Sequence, residues 1–227
     1  SLYWLGLVRL ARAGGAHDPL HAQAGAALRR SLQMWIDQSH KQSEGLVNAY
    51  LSEWALAGGD ASAAHTYADR AWELAQVHRL ERDFITAAVR QGRAALALND
   101  LTTADERLHH ALVRARAVNF AEEELPALIA LARLAVIRKD ESLARELLAQ
   151  VWEGAERGPY PMEHADALNL LAEIERAAGN RDAAVQAAAQ AYALAWCDGI
   201  SRDGQEVWAY MRGLNTAKAH LIALGAP

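Results

Sequence analysis

Small and apolar residues recur along this chain with a fixed period. Ala24, Ala64, Ala104, Ala144 and Ala184 are each 40 residues apart. Seven positions after each stand Ser31, Ala71, Ala111, Val151 and Ala191, and four further on Trp35, Ala75, Ala115, Ala155 and Ala195. Offsets of 7 and 11 put all three on one face of a helix, because 11 residues make about three turns at 3.6 residues per turn. A face of small residues lets a neighbouring helix approach closely, and this series defines a helix B. Ser52, Gly92, Ala132 and Ala172 repeat at the same period, preceded by Leu51, Gln91, Leu131 and Leu171 and followed one turn later by Ala55, Ala95, Ala135 and Glu175. They define a helix A.

Polar breaks fall between the two series. Gly59-Asp60, Asn99-Asp100, Lys139-Asp140 and Gly179-Asn180 separate each A from its B. Gly or Asn ends a helix at little cost, and Asp or Asn caps the next one. An A–turn–B hairpin is therefore predicted in every unit, with pairs at about 1–38, 43–78, 81–117, 122–156 and 162–197. The first unit is irregular: six extra residues precede Ala24, and Gly14, Gly15 and Pro19 place them in its A–B turn. A final helix at about 205–224, with Val207, Met211, Leu214 and Leu221 along one side, is expected to cover the end of the last pair. The whole chain, 1–227, reads as one all-α domain: a right-handed α-solenoid of antiparallel helix pairs, about five pairs plus a C-terminal capping helix.

Composition narrows the function classes. The chain is 52% hydrophobic with 22% charged residues, which suits a packed core. A net charge of −5 argues against a general nucleic-acid surface, which needs a basic stripe. One Cys excludes an internal disulfide framework and fits a cytoplasmic location. The longest uncharged run, Ala183 to Cys197, is too short to span a bilayer.

The small residue of helix A followed 12 positions later by Ala, and after 7 more by another small residue, resembles the tetratricopeptide repeat. Three departures stand out: the unit is 40 residues rather than the usual 34, the helix A aromatic is mostly Leu or Ala, and the closing Pro is missing. Such long units look like those in the C-terminal arms of bacterial signal-transducing NTPases of the STAND, NB-ARC and maltose-regulator-like kinds. The ending, Ala195-Trp196-Cys197-Asp198-Gly199 and then Ala217-Lys218-Ala219, is similar to the C-terminus of many such proteins. The resemblance implies a protein- or peptide-binding module, the sensor or regulatory arm of a larger signalling ATPase, with an upstream nucleotide-binding domain of the same parent chain as a further partner. Because the chain begins inside a helical pattern, a C-terminal fragment of a larger protein is expected. Two alternatives stay open: a small-ligand sensor that takes a sugar or metabolite, and a free-standing scaffold or adaptor.

In this architecture the A helices line the concave face. Its exposed centre is expected at Leu7, Glu53, Arg93, Arg133 and Glu173, with Tyr3, Ile129 and Asn169 one turn earlier, flanked by Trp4, Tyr50 and Arg90. The groove then grades from aromatic (Tyr3, Trp4, Tyr50) through basic (Arg90, Arg93, Arg133) to polar (Asp166, Asn169, Glu173). Neighbouring arginines can grip a carboxylate bidentately, so an extended segment with a central acidic group and an apolar anchor near Trp4 is the expected ligand. The competing reading pairs Arg93 and Arg133 with Glu53 and Glu173 as an ion-pair ladder.

Other residues invite chemistry and yield none. His17 and His21 are spaced i, i+4 but flank Pro19; His109 and His110 point about 100° apart on a helix. Both read as surface or interhelical histidines rather than metal ligands. Trp72, Trp152 and Tyr192 share one helix B position and read as a packing layer; Trp196 and Trp208 read either as a clasp on the terminal helix or as exposed rings for docking to another part of the parent protein. Cys197 follows a helix end, where the dipole disfavours a thiolate. Glu122, Glu123 and Glu124 read as solvated acids at a helix start. No phosphate-cradling Gly loop or nucleophile set is present, so no enzyme activity, cofactor, metal, nucleic-acid partner or membrane partner is expected.

Overall fold

A computed structural model describes residues 2–153, 158, 160–196 and 209–226. Within them are eleven helices: α1 (Leu2–Arg12), α2 (Pro19–Asp37), α3 (Lys41–Ala57), α4 (Ala61–His78), α5 (Glu81–Ala97), α6 (Leu101–Ala117), α7 (Ala121–Ile137), α8 (Glu141–Glu153), α9 (Pro161–Ala177), α10 (Arg181–Ala195) and α11 (Met211–Ala223). They are antiparallel A–B pairs stacked into an α-solenoid. The expected continuation to 156 and 197, with Ala155, Cys197, Val207 and Trp208, lies outside the described residues. So do 205–208, where the last helix was expected to begin. Ala209 and Tyr210 are not helical, so α11 starts at Met211.

The turns explain the regular period. Ser39, Gly59, Arg79, Asn99, Asn119, Lys139 and Gly179 all have positive φ, and they fall on a grid of 20 residues. Each sits just past a helix end, where a left-handed residue reverses the chain. Asp60, Asp100 and Asp140 then accept from the backbone N–H of Ala63, Thr103 and Leu143 at 2.9, 3.1 and 3.0 Å. The B helices α4, α6 and α8 thus have side-chain caps, whereas Asn180 before α10 makes no such bond. The A helices α5, α7 and α9 lack them and carry acids in the first turn instead: Glu81 and Asp83, Glu122 to Glu124, and Glu163.

The irregular first turn spans 13–18. Asp18 holds both ends of it, accepting from Gly14 and from Leu20 at 2.8 Å, with Pro19 as the first residue of α2. His21 is an interhelical residue. Its ring stacks on Trp54 with centroids 5.1 Å apart, its Nε2 lies 3.0 Å from the Trp54 carbonyl, and Trp54 Nε1 donates to the His21 carbonyl at 2.9 Å.

The small residues sit where A and B cross. Ser52, Ala132 and Ala172 have no exposed surface. A β-carbon at Gly92 would lie 2.5 Å from Leu108 Cγ, and one at Gly6 would lie 2.8 Å from Leu28 Cγ. Close approach here is what the pattern secures. Trp72 and Trp152 pack on the main core, Tyr192 on the last pair, and Trp196 against the cluster holding Tyr210 and Leu214.

Curvature follows from which helices touch. The backbones of consecutive A helices, α3–α5–α7–α9–α11, approach closely, whereas among the described residues B helices meet only through long side chains, such as Arg107 on Trp72 and Arg116 on Gln150. The A series is therefore the crowded inner wall and the B series the splayed outer one. α11 stands beside α9 as a sixth helix A, and it also reaches α1, where Asn215 Nδ2 donates to the Gly14 carbonyl at 3.1 Å. First and last units thus meet across 201 residues of chain.

Candidate concave-face binding site

The inner wall begins with stacked aromatics. Tyr3 and Tyr50 rings lie 5.8 Å apart and nearly parallel, and Trp4 leans on Tyr3 with centroids 5.3 Å apart. Trp4 is 57% exposed, while Tyr3, Leu7 and Tyr50 are half-buried. Burial pushes the Tyr50 phenol up, against the pull of Arg90.

Next comes a charged network built from three A helices. Glu53 on α3 receives Arg93 Nη1 at 2.6 Å and lies 3.0 Å from Arg90 Nε. That Nε is buried without an aligned hydrogen-bond acceptor. Arg90 turns its other two nitrogens to α7, donating to both Glu123 oxygens at 2.8 and 2.9 Å. Burial raises the Glu123 carboxyl, with Arg90 opposing and Glu53 reinforcing. At Glu53 burial also pushes upward, but Arg93 and Arg90 together outweigh it and hold the carboxyl below its ordinary range.

Two expectations change here. Arg90 is only 7% exposed, with its guanidinium held between Glu53 and Glu123, so it braces the wall rather than opening to solvent. Glu123 and Glu124, expected in solvent, are buried: Glu123 pairs with Arg90 and Glu124 with Arg116 at 3.0 Å. They do stand in the first turn of α7, but a long Arg from a neighbouring helix draws each inward.

The far end is closed by α11. Asn169 is buried and donates to the Gly213 carbonyl at 3.0 Å, which makes it part of the α9–α11 seam rather than open groove. The Tyr210 hydroxyl lies 3.0 Å from both Asp166 oxygens and accepts from Arg212 at 2.6 and 2.9 Å. Surrounding protein raises the Asp166 carboxyl, with Arg212 pulling it down, yet more than a third of both side chains stays in contact with solvent. Arg212 also acts on Glu53, and Arg93 on Asp166. Charges of the last helix and of the second pair thus act on one another along the concave face. Arg133 and Glu173, 3.4 Å apart and 48% and 39% exposed, are the most exposed pair of this wall, and Ile129 is half-buried on α7.

The expected concave residues are thus divided among three roles. Tyr3, Trp4, Arg93, Arg133 and Glu173 have access to solvent; Leu7, Tyr50, Glu53 and Ile129 form the partly covered wall; Arg90 and Asn169 are structural. The pairing of Arg93 with Glu53 and of Arg133 with Glu173 is the ion-pair ladder posed as the competing reading. Asp166, Tyr210 and Arg212 meet only through folding; sequence spacing carries no signal for Tyr210 and Arg212. Among the described residues, no group of three or more His, Cys, Asp or Glu is placed to hold a metal ion.

The fold is that of a helical-repeat protein. BtubC (BKLC) from P. vanneervenii, known from its crystal structure, is similar with a TM-score of 0.60 over 92% of this chain and 91% of that one, at 14% sequence identity. At that identity the likeness concerns fold alone. No protein-family model and no curated protein matches the chain. No helix among the described residues is long and apolar enough to cross a membrane.

Proposed function

We propose that this chain is a tetratricopeptide-type module that binds a protein or peptide on its concave face, and that it serves as the sensor or regulatory arm of a larger bacterial signalling ATPase or regulator. It acts by binding rather than by catalysis. The observation that carries the reading is the division of labour between faces. Ala and Leu serve helix packing, while the inner wall presents an exposed aromatic end and a column of partly exposed ion pairs.

The pairs differ in how readily they exchange. Arg133 and Glu173 are long and exposed, and such a pair contributes about 0–1 kcal/mol. A ligand carboxylate displaces Glu173 at little cost, whereas Arg90 is committed to Glu123. The acidic group of the ligand therefore engages Arg133 first and Arg93 second, with Trp4 and Tyr3 taking an apolar side chain. The test is partner capture by the parent protein with Arg93→Glu and Arg133→Glu combined, and with Arg133→Glu alone, each checked for folding by circular dichroism. Loss of capture with folding intact is expected; unchanged capture by both variants would overturn the proposal.

A second reading, a small metabolite on the concave face, draws on the exposed Trp4 ring beside Tyr3 and Tyr50. A thermal-shift screen separates the two: stabilisation by sugars or metabolites and not by peptides favours the small ligand.

A further inference from the structure

The splayed B helices leave grooves on the outer wall, and one of them is chemically distinct. Between α4 and α6, Arg107, His110 and Arg114 run along one face of α6 at spacing i, i+3, i+7, a stripe about 10 Å long. Arg107 lies over the Trp72 ring at 4.7 Å, Arg114 over Phe84 at 5.1 Å, and the two rings meet edge to face at 5.5 Å. Arg79, just past the end of α4, lines the same groove.

The arginines of this groove differ in their partners. Arg114 is held by Glu81. Arg107 and Arg79 have no carboxylate partner among the described residues, which they share with the ring-stacked Arg29 and Arg82 but not with Arg70, Arg90, Arg93, Arg116, Arg138, Arg145 and Arg212; this groove brings two such arginines together beside Trp72. A guanidinium stacked on an aromatic ring has its flat face occupied and its N–H edge free, and that edge matches a carboxylate. Burial lowers the His110 imidazole pKa, and Arg114 and Arg107 lower it further against the pull of Glu81.

We propose that this outer groove docks a carboxylate-rich segment of a partner protein, with Arg107 and Arg79 as the primary contacts. Nucleic acid fits less well. Trp72 and Phe84 are already covered by arginines, so bases find no open ring for stacking. A stripe this short also neutralises few phosphates.

The test is fluorescence anisotropy at low ionic strength with a labelled Glu-rich peptide, against an oligothymidylate of similar length. Combined Arg107→Gln and Arg79→Gln should weaken peptide binding about tenfold or more, since both lose their charge-assisted contacts to the peptide carboxylates. Glu81→Gln, which frees Arg114, should tighten it, an effect that misfolding cannot produce. All of these variants are compared in an Arg93→Glu, Arg133→Glu background, which removes capture of acidic groups by the concave face and confines the readout to this groove. The proposal fails if the peptide does not bind, if the double variant binds as wild type, or if the oligothymidylate binds more tightly. It fails equally if light scattering shows a dimer that the double variant abolishes, since the groove is then a self-interface.

Discussion

Removing Arg90 tests whether the inner wall is braced as described. Arg90 and Glu123 side chains are 9% and 6% exposed, and Glu53 is 15% exposed. Arg90→Met deletes the cation that serves both acids. Glu53 keeps Arg93 at 2.6 Å, so its loss is partial. Glu123 keeps a hydrogen bond to Thr86 but loses its counter-charge in a desolvated site. Breaking a buried pair in this way costs about 3–5 kcal/mol. Glu123 can escape part of that by taking a proton. Its folded pKa, already raised by burial, rises further in the variant. A raised carboxyl contributes stability that is complete below its unfolded value and lost as pH climbs through the folded one. The penalty should therefore be largest at neutral pH and shrink under mild acid. Replacing both partners, Arg90→Met with Glu123→Leu, removes the orphaned charge and should return stability to within about 1–2 kcal/mol of wild type. The assay is urea unfolding followed by far-ultraviolet circular dichroism at both pH values, with the slope compared to confirm unchanged cooperativity. A single-variant loss under about 1 kcal/mol, or a double variant worse than the single, would refute the reasoning.

Gly92→Val should cost about 1–3 kcal/mol by overpacking Leu108, and Leu108→Ala in the same chain should restore part of it; equal midpoints in chemical denaturation would contradict the packing account. Glu44 is buried and held by Lys41 and Arg70, each at 2.7 Å, and these partners outweigh the upward push of burial to lower its carboxyl pKa. Glu44→Gln should thus lose about 1–2 kcal/mol at neutral pH, discounted because both cations are over two-fifths exposed. A lowered carboxyl stabilises above its unfolded pKa, so the gap should close as pH falls through the folded value; a gap independent of pH would argue against it. Asn215→Ala should speed amide exchange in α1 and in the 13–18 turn while leaving α5 unchanged, and identical exchange profiles would mean that this contact does not hold the ends together.

The one-dimensional pattern alone determined the repeat. Ala24, Ala64, Ala104, Ala144 and Ala184 place helix B, and Ser52, Gly92, Ala132 and Ala172 place helix A, because a helical face is a local property with a known period. The Gly, Asn and Asp breaks located the turns for the same reason, as local backbone chemistry. The graded lining of the concave face was legible only as positions. Whether Arg90 points to a ligand or to Glu123, and whether Glu123 and Glu124 are wet or buried, depends on which side chains from helices 33 and 8 residues away converge. Local periodicity does not contain that. The meeting of Asp166 with Tyr210 and Arg212, and of Asn215 with Gly14, depends on still more, since small rotations between successive units add up before the ends can touch. Tertiary structure decided those contacts because curvature is a sum over the whole stack, while a helix reports only on its own neighbours.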